Sequence, residues 1–102
     1  MGFDATLTTA GRTAVIALHG TLDANSDGVF RERIEHAATL DLSELVLDMS
    51  ALNQLSAAGL RAIAYARQQM ADDVQMVITS PAEGVRETLR AADFDDSVSI
   101  RD

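Results

Sequence analysis

Leu45-Val46-Leu47-Asp48-Met49-Ser50-Ala51-Leu52-Asn53-Gln54-Leu55-Ser56-Ala57-Ala58-Gly59-Leu60 is the stretch on which the fold turns. Glu44 to Met49 is a short apolar run of the kind that forms a central strand. A polar loop follows, and a helix restarts at Ser56-Ala57-Ala58-Gly59. Ser56 stands at the N-cap position, where a side-chain oxygen accepts from the N–H of Ala58 or Gly59. Small side chains in this first turn leave the opening N–H groups accessible, and such a helix start can receive an anion, a hydroxyl or a partner's surface.

Towards the C-terminus, Leu60, Ile63, Ala64 and Met70 mark one side of a second helix from Ser56 to about Ala71, with Arg61, Arg67 and Gln68 elsewhere. Asp72-Asp73 interrupts the pattern, and Val74 to Ile78 is the next strand. Ser80-Pro81-Ala82-Glu83 has the form of a capping box with proline at the first helical position, predicting a third helix to about Ala91. Val98 and Ile100 suit a short last strand, and Asp95-Asp96 a solvated turn.

Towards the N-terminus, Phe3, Ala5 and Leu7 alternate with Asp4, Thr6 and Thr8, the period of a strand with one wet face. A turn at Ala10-Gly11-Arg12 leads into Thr13–Leu18, a nearly continuous apolar run expected to be buried on both faces. Gly20 to Ala24 is expected as a loop, with Asn25 or Ser26 capping a first helix from Asp27 to Ala38. That helix presents Phe30, Ile34, Ala37 and Ala38 on one face. Strands alternating with helices predict an α/β fold: a mostly parallel sheet of four to five strands, an antiparallel N-terminal edge strand and three main helices. All 102 residues read as one domain, without internal repeat or linker.

Composition narrows function mainly by exclusion. Sixteen acidic and eight basic side chains give a net charge of −8, and every cation is an arginine. Such a surface repels phosphate backbones and anionic lipid, which argues against nucleic acid and favours a partner with a basic or mixed face. Absence of cysteine removes thiolate and disulfide chemistry. No apolar stretch approaches the ~20 residues that span a bilayer, so no membrane insertion is expected and the expected location is the cytoplasm.

His36 stands near the end of the first helix, where a cation is favourable, and His19 closes a strand. Neither has a second ligand at metal spacing, so no metal and no cofactor are expected. No glycine-rich phosphate loop or nucleophile elbow occurs, and the chain reads as non-enzymatic.

Three motifs together resemble the STAS domain family, shared by anti-sigma factor antagonists and the cytoplasmic tails of sulfate transporters. Gly20-Thr21-Leu22-Asp23-Ala24 is similar to that family's G-x-L-D-A loop. Leu45 to Ser50 is similar to its apolar strand ending in D-L-S, and Ser56-Ala57-Ala58-Gly59-Leu60 to its D-S-S-G-L helix start. Order and length agree, so the likeness spans essentially the whole chain.

The resemblance implies a regulator acting by partner switching. In typical antagonists the first serine of D-S-S-G is phosphorylated by an anti-sigma kinase, and the unmodified form binds that kinase and frees the sigma factor. Here that position is Ala57, the acidic position is Ser56 and the second serine is Ala58.

Two readings follow. Either Ser56 has become the phosphoacceptor one residue upstream, or the protein is unmodified there and binds constitutively. The implied binding residues are Thr21, Asp23, Ser56, Ala57, Ala58, Gly59 and Arg61. Asp23 also suits a turn that bonds its own backbone. Gly59 also suits a close approach of helix and sheet. The implied partner is an anti-sigma factor of the histidine-kinase-like class. The alternative is a structural subunit gripping the ATPase of an ATP-driven (ABC) lipid transport complex, or a scaffold module.

Overall fold

Alternating side chains set β1 (Asp4–Ala10) antiparallel to β2 (Thr13–Leu22), and the computed structural model, which describes residues 2–92 and 98–101, pairs them from Asp4 opposite His19 to Ala10 opposite Thr13. Gly11 turns the hairpin at φ +61°, in the left-handed region that favours glycine. The chain continues through α1 (Asp27–Ala38), β3 (Glu44–Leu55), α2 (Ala57–Gln69), β4 (Gln75–Thr79), α3 (Glu83–Ala91) and β5 (Ser99–Arg101). The five strands lie in the order β1-β2-β3-β4-β5, with every pairing after the first parallel. This is the mixed sheet with an antiparallel edge and three helices that the pattern predicted.

Sheet order follows chain order, so right-handed crossovers all step the same way and lay the helices on one face. Burial agrees. Ala14, Ile16 and Leu18 of β2 and Leu45, Leu47 and Met49 of β3 are buried, whereas Val15, Ala17, Val46 and Asp48 between them are half-buried. The expectation that β2 is buried on both faces is therefore corrected. In β4, by contrast, Met76, Val77 and Ile78 are all buried.

Several boundaries also move. β2 continues through Gly20 to Leu22 and β3 through Asn53 to Leu55, segments expected to be loops. Their pairing, Gly20 with Leu52 and Leu22 with Leu55, explains the extension: each tail supplies the other's ladder partner. His19 consequently does not end a strand; it is exposed within β2, beside a register shift. Gly20 sits at φ +92°, and a Cβ there would lie 2.5 Å from the Gly2 carbonyl oxygen.

The capping box before α3 does not form either. Ala82 is the N-cap residue without a side-chain bond, and α3 begins at Glu83. Ser80 instead has φ +54°, and its N–H donates to the Arg101 carbonyl, so its backbone serves the sheet rather than the helix. On α1, Ala38 is exposed although Phe30, Ile34 and Ala37 are buried. On α2 the buried residues are Gly59, Ala62, Ile63 and Ala66; of the side expected to be apolar, Ile63 and the C-cap Met70 are buried, whereas Leu60 and Ala64 are half-buried. Asp95-Asp96 lies outside the described residues.

Polar side chains close the seam between α1 and α2. The Arg31 guanidinium lies 4.4 Å from the centre of the Tyr65 ring, while Arg31 Nε donates to Asp27 Oδ1 at 2.7 Å. Tyr65 Oη donates to Glu35 Oε2 at 2.9 Å. Accepting that hydrogen bond is the chief way Glu35 raises the Tyr65 pKa; desolvation and the carboxylate charge add to it, and Arg31 opposes. The contribution of this bond is therefore complete below the unfolded tyrosine pKa and is lost as pH rises through the higher folded value. An absorbance titration of the sole tyrosine is expected to give a midpoint above the ordinary value of about 10, and Glu35→Gln to lower it. An unshifted midpoint in the parent protein would contradict the bond.

Candidate functional site

The ends of β2 and β3 and the starts of α1 and α2 meet at one edge of the sheet, and Ser56 joins them. Its N–H donates to the Leu22 carbonyl at 3.1 Å. Its hydroxyl Oγ lies 3.3 Å from the same oxygen as donor and accepts from the Gly59 N–H at 3.2 Å. Ser56 has φ −90° and ψ 176°, the extended geometry of an N-cap residue, as its position in the sequence predicts. Both functions of its half-buried hydroxyl are in use.

Gly59 explains why the helix can start so close to the strand. A Cβ at this position would lie 2.5 Å from the Leu22 carbonyl oxygen and 2.6 Å from Leu55 Cδ1. Gly59 is buried, turned towards β2 rather than towards solvent. Its requirement comes from within the fold, the second of the two roles its position suggested.

The β2–α1 loop is held by its own side chains. Asp23 Oδ1 accepts from the Asn25 N–H at 2.9 Å and the Ser26 N–H at 3.2 Å, the self-bonded turn that its sequence position suggested. Ser26 occupies the N-cap position of α1 but makes no cap bond. Its hydroxyl donates instead to the Thr21 carbonyl at 2.8 Å and accepts from the Asp23 N–H at 2.9 Å. Ser26 is buried, and these bonds satisfy it.

Between this loop and α3 runs a groove of about 540 Å³, lined by Thr21, Asp23, Asn53, Ser56, Gly84 and Thr88 among others. A second hollow, of about 580 Å³, lies across the Thr21–Asp23 ridge, with Phe3 and the exposed Val29 in its wall. Among the described residues, Asp23 is the one charged residue that lines either. Thr21, Asp23 and Ser56 thus come together in one groove. Ala57 and Arg61 are exposed on the outer side of α2, and Ala58 is half-buried.

The contribution of α3, through Gly84 and Thr88, is absent from the sequence-based list, because nothing in local pattern brings Glu83–Ala91 beside Ser56. Asn53 was legible only as part of the polar segment that precedes Ser56. The arrangement offers hydrogen-bonding groups, small side chains and one carboxylate. Among the described residues no group of three His, Cys, Asp or Glu could hold a metal ion, and no helix is long and apolar enough to cross a membrane.

Residues 4–102 match the family model described as the STAS domain. An anti-sigma factor antagonist from Mycobacterium paratuberculosis has a similar structure, with a TM-score of 0.90, 15% identity and coverage of 98% of this chain and 86% of that one. The anti-sigma factor antagonist SpoIIAA in its unphosphorylated form is similar at a TM-score of 0.80 and 17% identity, covering 95% of this chain and 87% of its own. The Bacillus cell fate determinant SpoIIAA in the phosphorylated form is similar at 0.73 and 16%, covering 95% and 90%. No curated protein sequence matches the chain.

The joint at Leu22 has measurable consequences. Gly59→Ala is expected to destabilise the fold by about 1–3 kcal/mol, since its Cβ meets backbone that cannot swing aside. Ser56→Ala is expected to cost about 1 kcal/mol through loss of the cap. Denaturant unfolding of the two variants checks both values; an unchanged midpoint in Gly59→Ala would contradict the close packing.

Proposed function

Because the chain belongs to the STAS domain family, we propose that it is a non-enzymatic, cytoplasmic regulator that binds another protein, in the manner of an anti-sigma factor antagonist. Its binding surface is the edge formed by Thr21, Asp23, Ser56, Ala57, Ala58 and Arg61, with Gly59 setting the backbone beneath. The partner is an anti-sigma factor of the histidine-kinase-like class. A net charge of −8 suits a partner with a basic or mixed face.

One observation carries the reading of how this surface is regulated. Ala57 is exposed at the first position of α2 and has no hydroxyl, while the neighbouring Ser56 hydroxyl is engaged as both donor and acceptor. A phosphate on Ser56 would remove its proton from the bond to Leu22 and press a dianion against that carbonyl oxygen, a repulsive arrangement. Of the two readings, this favours an unmodified site that binds constitutively. The same observation keeps a second role in play, that of a structural subunit gripping the ATPase of a lipid transport complex, where no phosphorylation switch is needed.

Incubation with ATP and the purified histidine-kinase-like anti-sigma factor of the same cell is expected to leave the parent protein unlabelled. Ala57→Ser is expected to gain phosphate at position 57. Phosphate mapped to Ser56 in the parent protein would overturn the constitutive reading. Ala57→Glu is expected to weaken binding to that kinase by about tenfold or more, ~1.4 kcal/mol, with the thermal midpoint little changed. Binding of the transporter ATPase but not of the kinase, measured with both purified, would select the structural role.

A further inference from the structure

Outside the two grooves, the densest set of side-chain bonds lies on the seam between α1 and α2. Helical spacing aligns Ala58, Ala62 and Ala66 along the flank of α2 beside Tyr65, and Ala62 and Ala66 are fully buried. A row of alanines lets two helices approach closely. It does little to stop one from sliding along the other, because axial register between helices comes from side-chain ridges seated in grooves. Tyr65 is the large half-buried side chain on this flank, between the exposed Arg61 and Gln69 at i−4 and i+4.

The partners of Tyr65 are placed to resist that slide. Arg31 stacks on its ring at 4.4 Å and is itself held by Asp27, while Glu35 accepts its hydroxyl proton at 2.9 Å. Arg31 and Glu35 are four residues, ~6 Å, apart along the α1 axis, so their side chains reach Tyr65 from successive turns, one at the ring face and one at the hydroxyl. A slip by one turn would break both interactions. α1 and α2 each follow a strand of the same parallel pair, so they run in the same direction with their starts at the same edge of the sheet. Any axial slip of α2 on α1 therefore displaces Ser56–Ala58 relative to Thr21–Ser26 by the same distance.

We propose that Tyr65 is a positioning residue, which together with the Ser56–Leu22 joint at the helix start holds the axial register of α2 on α1, and so the spacing of the segments that build the binding edge. The proposal deepens the function given above and rests on those loops forming one surface. It does not require Tyr65 to touch a partner.

The chain has no cysteine, so two spin labels can be placed without background. Ala38→Cys and Ala57→Cys mark the end of α1 and the start of α2, which helices of this length separate by roughly 18 Å along the axis. Dipolar distance measurement on this labelled pair is expected to give one narrow distribution. Adding Tyr65→Ala is expected to broaden it or to create a second population, displaced by up to about one turn, ~5 Å. The combination of Arg31→Ala with Tyr65→Phe keeps the ring but removes both grips. It is expected to act in the same direction, and it carries the test should Tyr65→Ala fail to fold.

Leu89→Ala, a cavity in buried α3 packing away from the seam, is the control and is expected to leave the distribution narrow. A parent-like distance in the seam variants would overturn the proposal, as would equal broadening in Leu89→Ala. No partner takes part in the measurement, so its outcome and the outcome of the kinase-binding assay are independent.

Discussion

The carbonyl oxygen of Leu22 is the point on which the proposed binding edge of the molecule depends. It accepts from the Ser56 N–H, receives the Ser56 hydroxyl, and has Gly59 packed against it. One oxygen at the end of β2 thereby fixes where α2 begins. The residues around it must be small or polar: glycine where the backbone is crowded, serine where two hydrogen bonds converge. Ala57, one position beyond the cap, is left facing outward as a consequence.

Topology then determines what shares that edge. In a parallel sheet whose strand order follows chain order, every loop from strand to helix lies at the same end. The β2–α1 loop, the β3–α2 junction and the first turns of α3 are neighbours for this reason. The other end of the strands receives no such convergence. The edge is also restrained: Asp23 and Ser26 spend their side chains on the loop's own backbone, and Arg31, Tyr65 and Glu35 tie the helices behind it. On the proposed function, a surface held this firmly before encounter would lose little conformational entropy on docking.

Hydrophobic pattern was enough to place the elements, because most bury one face and are marked by it, and β4 carries a continuous apolar run. A sheet of four to five strands, three helices and the antiparallel entry were legible from residues such as Ala5 and Leu7, or Phe30 and Ile34. Boundaries were less legible. Gly20–Leu22 and Asn53–Leu55 look like loops locally, since their strand character comes from pairing with one another. Ser80-Pro81-Ala82-Glu83 has every local mark of a capping box. It failed because the Ser80 N–H is drawn to Arg101, a residue of the adjacent strand.

The same division applies to the site. Sequence alone determined that a helix starts at Ser56, that position 57 lacks a hydroxyl, and that the chain is acidic and free of cysteine, because these are properties of single residues and their immediate neighbours. Tertiary structure alone decided that the Ser56 hydroxyl is bonded on both sides, that Gly59 faces inward, that α3 walls the groove, and that Tyr65 is clamped between Arg31 and Glu35. Each of these depends on atoms brought together from separate segments, and the distances between segments are set by packing, which no local pattern records.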